Sequence, residues 1–301
     1  MLPAESVRSV RPVAPAGPPN LGIGLPVDDP ALLLDWARRA DATPFRTLAL
    51  LDRLVYDNPE PLVTLALLAG ATSRIRVQTE VLLAPLHSTA LLAKQTATLD
   101  RLAGGRFTLG IGVGGRADDC RAAGVDLRRR GRRLDGQMDV LRRLWAGEPY
   151  DAETGPIGPL PATPGGPEVL FGGFAPAAVD RVGRWGDGFL GAALPPRYMD
   201  GLFRAAEQSW QRHGRTGAPR LVAQVNVAAG PRFAAEARRN LLRYYAFDAQ
   251  AERYAADGLL TDPAEIRAAV DAYRAIGADE VMLYCWSTDP DQLDVLAGQV
   301  F

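Results

Sequence analysis

Apolar positions along the chain follow two rhythms. Short continuous runs are bounded by Gly, Pro and Asp, and longer stretches carry apolar residues three and four apart. Residues 75–115 show both most clearly. Residues 75–83 form a near-continuous β-branched and apolar run, the pattern of a strand buried on both faces, and Pro85 ends it. Ser88 stands where a helix N-cap would, and Leu91, Leu92, Gln95, Leu99 and Leu102 recur at helical spacing. Gly104 and Gly105 close that helix, and residues 107–111 read as a second buried strand. A strand–helix–strand unit of this kind requires a parallel sheet.

The alternation continues throughout. Strands are expected at 21–25, 47–51, 75–83, 107–111, 169–171, 189–192, 221–227 and 280–285. Helices are expected at 30–40, capped by Asp28 and Asp29, and then at 61–71, 88–102, 130–146, 175–185, 197–213 and 233–256. Two more start near Asp262 and Asp289, and in 130–146 Leu134, Met138, Leu141 and Trp145 share one face. Eight strands alternating with helices fit an α/β fold, a single (β/α)8 TIM barrel over residues 20–301, better than an open doubly wound sheet. Residues 1–19, with five prolines, read as a flexible, disordered tail, and 148–167, with six, as a short surface insertion before strand five. Functional groups of such a barrel sit at the C-terminal ends of its strands. That rule selects Pro26, Asp52, Arg53, Tyr56, Glu80, Gly112, Val113, Gly114, Gly115, Arg116, Gly172, Gly173, Phe174, Asn226 and Trp286.

Composition narrows the chemistry. A net charge of −1 argues against nucleic-acid or membrane-surface binding, and no apolar run reaches membrane-spanning length or resembles a signal peptide. Cys120 and Cys285 are far apart in unlike contexts, so a cytoplasmic chain without disulfides is expected. The only lysine, Lys94, lies within the third helix, which removes Schiff-base chemistry. His87 and His213 are the only histidines, so no metal site is expected. There is no convincing serine-nucleophile turn. What remains suits a bound cofactor that carries the reaction, with the protein supplying orientation and electrostatics. The glycine-rich strand ends at 112–115 and 172–173 are either tight turns or a phosphate cradle. Asp52 and Arg53 form either a loop salt bridge or part of a site. The aromatic run Tyr244, Tyr245, Phe247 and Tyr254 reads as core packing or as a pocket lid, and the arginines in 128–133 as a solvated face.

Four segments, in this order, resemble the bacterial-luciferase-like family of flavin- and deazaflavin-dependent oxidoreductases: TEVLLAPLHSTALLAKQTATLDRLAGGRFTLGIGVGG, RGRRLDGQMDVLRRLWAGE, VLFGGFAPAAVDRVGRWGDGFL and GADEVMLYCWSTDPDQLDVLA. The resemblance spans about residue 20 to the C-terminus. It implies a hydride-transferring or oxygenating enzyme acting on a small organic substrate. The cofactor it implies is FMN or coenzyme F420, and the compact chain resembles the F420-dependent members more. The alternative is an FMNH2-dependent two-component monooxygenase served by a separate flavin reductase. The resemblance also implies that Gly112, Val113, Gly114, Gly115, Gly172, Gly173 and Phe174 hold the cofactor phosphate and ribityl chain. Glu80 and Val81 fall where several members have a non-prolyl cis peptide beneath the ring.

Two positions depart from the family pattern. Arg53 stands where many relatives carry a catalytic histidine, and an arginine cannot act as a base. Gly115 stands where some carry an acidic glutamate. Both departures disfavour alcohol oxidation and keep open a non-catalytic flavin-binding protein on the same fold. Arg53 is then expected to face the pocket with Asp52 holding its guanidinium, while Tyr56, Arg116 and Trp286 contact substrate. The resemblance further implies a homodimer formed through the second and third helices.

Overall fold

The computed structural model describes residues 20–25 and 29–301; the expected tail at 1–19, Pro26 and Asp28 lie outside them. The chain begins with β1 (Leu21–Leu25), α1 (Pro30–Ala42), β2 (Thr47–Leu50), α2 (Pro61–Ala71), β3 (Arg76–Thr79) and β4 (Leu82–Leu83). A single 3-10 turn at Ala84–Leu86 leads to α3 (Thr89–Leu102), β5 (Phe107–Gly112), α4 (Ala117–Ala122) and α5 (Arg130–Trp145). After the proline-rich insertion come β6 (Glu168–Gly172), α6 (Pro176–Trp185), β7 (Gly188–Leu190), α7 (Pro196–Arg212) and β8 (Arg220–Val227). The chain ends with α8 (Pro231–Tyr245), α9 (Ala249–Asp257), β9 (Leu259–Leu260), α10 (Pro263–Ala275), β10 (Glu280–Cys285) and α11 (Gln292–Val300).

The strands pair in parallel in the order β10-β1-β2-β3-β5-β6-β7-β8, and β8 pairs back to β10. This closes an eight-stranded (β/α)8 barrel. β4 continues the third barrel strand and pairs with β5, while β9 extends the sheet beside the end of β8. The helices cover the outside through a continuous apolar layer that includes Trp36, Phe45, Leu65, Phe107, Met138 and Phe203, all fully buried. Capping is local: Asp29 accepts from Ala31 N at 2.8 Å and Asp262 from Ala264 N at 2.6 Å. Among the described residues no helix is long and apolar enough to cross a membrane.

The barrel interior is layered. At the N-terminal ends of the strands Arg220 pairs with Glu168 at 2.6 Å and with Glu280, and Arg76 reaches Glu168 at 3.2 Å. Above lies an apolar layer of Ala49, Leu170, Leu190, Val222 and Met282, with Val81 packed on it. Tyr284 and Trp286 fill the next level with Leu51, Ala228 and Phe233. The alternating glycines of β1 follow from this filling. A Cβ at Gly24 would lie 2.1 Å from the Tyr284 ring, so only glycine leaves room for it.

Three expectations about elements need correction. The run at 75–83 is two strands, β3 and β4, with Glu80 and Val81, joined by a cis peptide, between them. The stretch at 233–256 is two helices, α8 and α9, separated by residues 246–248. The last helix starts at Gln292 rather than at Asp289, and α4 and β9 were not foreseen.

Candidate functional site

A cleft of about 410 Å³ opens at the C-terminal mouth of the barrel. Glu80 and Val81 lie between two glycine-rich strand ends. One is formed by Gly112, Val113, Gly114 and Gly115 after β5, the other by Gly172, Gly173 and Phe174 after β6. Every residue expected to hold a cofactor therefore lines one cavity. Ala175, Ala178, Leu190, Gly191, Ala192 and Gln224 also line it.

The glycines have two distinct reasons to be there. Cβ atoms at Gly112 and Gly172 would each come within 2.8 Å of a Val81 methyl, so these two let the Val81 side chain pass between the strand ends. Gly114 and Gly173 have φ of +69° and +126°, which turn the backbone into conformations that other residues rarely adopt. Gly115 faces open space, so a side chain there would project freely.

Arg130 in the first turn of α5 also lines this cleft, a position that reading the basic run as a solvated face missed. Its Nε donates to Gly114 O at 2.8 Å, and another guanidinium nitrogen donates to Leu127 O. The guanidinium thus holds the glycine loop and places a positive charge beside it. Helical spacing was the available signal: Arg130 lies one turn before Leu134, which is on the buried face of α5.

Glu80 is the electrostatically unusual group. Both carboxyl oxygens are buried, and neither has a hydrogen bond of normal geometry among the described residues. Burial, reinforced by the charge of Glu280, pushes its pKa up to about 8; the Gln78 amide and Arg220 oppose this without cancelling it. The Tyr284 hydroxyl is likewise buried without a partner among the described residues. Burial, with the nearby Glu80 charge, raises the Tyr284 pKa well above that of an ordinary phenol.

Arg53 is not where it was expected. Its side chain is 4% exposed and its Nε donates to Asp119 at 2.6 Å, while Nη2 donates to Asp118 at 3.1 Å and to Val55 O at 3.0 Å. Asp119 in turn accepts from the amides of Leu54 and Val55 at 3.1 and 2.7 Å. Asp52 does not hold the guanidinium; its Oδ2 accepts from Leu83 N at 2.8 Å and lies 4.0 Å from His87 Nε2. The two neighbours therefore have separate duties: Arg53 fixes α4 to the loop after β2, and Asp52 fixes β4. Neither Arg53 nor Asp52 lines the cleft.

Tyr56, Arg116 and Trp286 are brought together, but around a separate aromatic cluster at the mouth. The Tyr244 ring centroid lies 5.3 Å from Tyr56 and 5.4 Å from Trp286, and Tyr245 lies 5.0 Å from Tyr244. The Arg116 guanidinium sits 3.7 Å above the Phe247 ring and 4.8 Å above that of Tyr244, and donates to Tyr244 O at 2.7 Å. Trp286 is buried, with its Nε1 donating to Asn226 Oδ1 at 2.8 Å. Among the described residues no group of three or more His, Cys, Asp and Glu side chains is arranged to hold a metal ion.

Residues 11–282 match the model of a family described as luciferase-like monooxygenase. An F420-dependent glucose-6-phosphate dehydrogenase from Kineococcus radiotolerans is 33% identical over 172 residues, covering 52% of this chain and 50% of the dehydrogenase. A 4-hydroxyprotoasukamycin monooxygenase from Streptomyces nodosus subsp. asukaensis is 32% identical over 174 residues, covering 52% of this chain and 46% of the monooxygenase. The matched region thus spans about half the length of these curated relatives. Among solved structures, an F420-dependent secondary alcohol dehydrogenase superposes with a TM-score of 0.78 at 16% identity, covering 94% of this chain and 98% of the other. The monooxygenase RslO1 from Streptomyces bottropensis superposes with a TM-score of 0.72 at 19% identity, covering 93% and 98%. At such identities these two structures speak for the barrel fold alone. The family match covers most of the sequence, and on it the chain belongs to the luciferase-like monooxygenase family.

Proposed function

We propose that the protein is an oxidoreductase that binds a flavin-type cofactor in the cleft at 112–115 and 172–174 and acts on a small organic substrate. The observation that carries this reading is the arrangement of two glycine-rich strand ends across one cavity with the Arg130 guanidinium beside them. Close backbone approach and a fixed positive charge suit a phosphate-bearing ligand. The apolar floor at Val81 and Leu190 suits the flat face of a ring. The cofactor supplies the hydride or the oxygen chemistry. The chain binds it, orients it and holds protons near it.

Coenzyme F420 is the favoured cofactor, supported by the compact chain and by the F420-dependent dehydrogenase among its relatives. The FMN-dependent reading is supported by the relative named as a monooxygenase. That reading would require a separate source of reduced flavin. Titration with each cofactor, followed by oxygen consumption under turnover, separates them, because a deazaflavin does not react usefully with oxygen. The Arg53–Asp119 pair is a positioning element in this account. The aromatic group of Tyr56, Tyr244 and Trp286, with Arg116, forms the substrate side of the mouth. We further propose a homodimer through α2 and α3, where Val63, Leu67, Leu91 and Leu102 are exposed around an apolar crevice.

A further inference from the structure

The residues that serve as base and acid in the family pattern are replaced here by Arg53 and Gly115, yet one carboxyl remains at the cleft. Glu80 contributes to the cavity lining while both its oxygens are enclosed. The charges that act on it are those of Glu280 from β10 and Arg220 from β8, its own charge acts on Tyr284 of β10, and Gln78 of the preceding strand β3 offers an amide. The Arg220 charge is already engaged by Glu168 and Glu280. The Asp52 carboxylate at the end of β2 is turned to the Leu83 amide. Neither oxygen has a hydrogen bond of normal geometry among the described residues, and the Gln78 amide and Arg220 only partly offset the cost of burying a carboxylate here.

We propose that Glu80 is protonated in the resting protein and keeps that proton against an anionic ring bound in the cleft, so that cofactor binding and protonation of Glu80 are coupled. This rests on the reading of the cleft as the cofactor site. The physical basis is direct: a buried carboxylate beneath a bound anion would repel it in a medium of low dielectric, and a neutral carboxyl would not. The reduced flavin ring and the phenolic deazaflavin ring are anionic near neutral pH, whereas the oxidised flavin ring is neutral. Glu80 therefore favours the charged rings only while it holds its proton. Burial and the Glu280 charge extend that condition to about pH 8.

The test combines the cofactor-free protein with binding. In infrared difference spectra of the cofactor-free wild type, the carbonyl stretch of a protonated carboxyl should be present at pH 7 and disappear as pH rises through about 8. It should be missing from folded Glu80→Gln. Calorimetric titrations with F420, reduced FMN and oxidised FMN, in buffers of different ionisation enthalpy, measure proton uptake. Wild type should take up protons with F420 or reduced FMN near pH 8, less with oxidised FMN, and lose affinity by up to about tenfold per pH unit above that. Glu80→Gln should bind with no such uptake and a flat profile. Binding without proton uptake, a Glu80→Gln profile matching wild type, or an infrared signal unchanged by the substitution overturns the proposal and leaves the cofactor site standing. If neither F420 nor FMN binds the folded protein, the coupling and the cofactor reading both fall, even with the infrared signal present.

Discussion

Replacing Arg53 with alanine probes the part of the mouth where the sequence and the structure differ most. The Arg53 side chain is 4% exposed and that of Asp119 is 2% exposed, so the variant leaves a buried carboxylate without its counter-charge. Breaking a buried ion pair in this way costs about 3–5 kcal/mol. Asp119 keeps the Leu54 and Val55 amides, which places the cost at the lower end, about 3 kcal/mol. For a chain of this size that corresponds to a fall in Tm of roughly 5 °C. Lysine at position 53 should recover only part of this, because one ammonium cannot match the fork that meets Asp119, Asp118 and Val55 O together. Denaturant unfolding of Arg53→Ala, Asp119→Ala and the double variant gives the coupling directly, expected at about 2 kcal/mol. Cofactor affinity of the folded fraction should stay within a few-fold of wild type. A loss below about 1 kcal/mol with additive single effects, accompanied by a large loss of cofactor or substrate binding, would return Arg53 to the pocket.

Three further outcomes are expected. Arg130→Ala should weaken binding of FMN by about tenfold or more, the size of a lost charge-assisted hydrogen bond, and weaken riboflavin much less; equal losses would remove Arg130 from the phosphate site. Burial opposes the charge on Asp41, but the amides of Ser73, Ile75 and Arg74 outweigh it and hold its pKa down at about 2. Its contribution to stability is therefore full above about pH 4 and lost as pH falls toward 2, so acid unfolding of Asp41→Asn should show a shallower pH dependence in that window than wild type. Leu67→Glu and Leu91→Glu, on the exposed apolar faces of α2 and α3, should convert a micromolar dimer to monomer in sedimentation velocity without lowering Tm in the monomer range; a wild-type monomer at these concentrations would contradict the dimer.

Much of the barrel was legible because its signals are local. The boundaries of α2 at Pro61 and Ala71 and of β1 at Leu21 and Leu25 follow from caps, prolines and unbroken apolar runs. The glycine-rich strand ends of the cleft were legible as turns at 112–115 and 172–174, and a closed barrel brings them side by side, but their reading as a cofactor cradle rather than tight turns came from the family resemblance alone. The partner of Arg53 was not legible. Adjacency in the chain favoured Asp52, but the guanidinium is met by Asp119 from α4, a short helix with no apolar rhythm of its own. The environment of Glu80 was hidden too, because Glu280, Arg220 and Tyr284 reach it only through closure of β10 and β8 across the barrel. Arg130 was masked by the arginines around it, although its spacing from Leu134 put it on the inner face of α5.

The central claim is that the cleft between the two glycine-rich strand ends holds a flavin-type cofactor. The most direct measurement is equilibrium titration of F420 and of FMN, by fluorescence and calorimetry, into wild type and Gly173→Val. At position 173 a Cβ would lie 2.9 Å from Ala178 on a backbone with φ +126°, so the substitution deforms the loop without entering the barrel core. The account predicts saturable one-to-one binding of at least one cofactor by wild type, and a loss of tenfold or more in a variant that keeps its cooperative unfolding transition. Absence of saturable binding of either cofactor, or unchanged affinity in the folded variant, would contradict it.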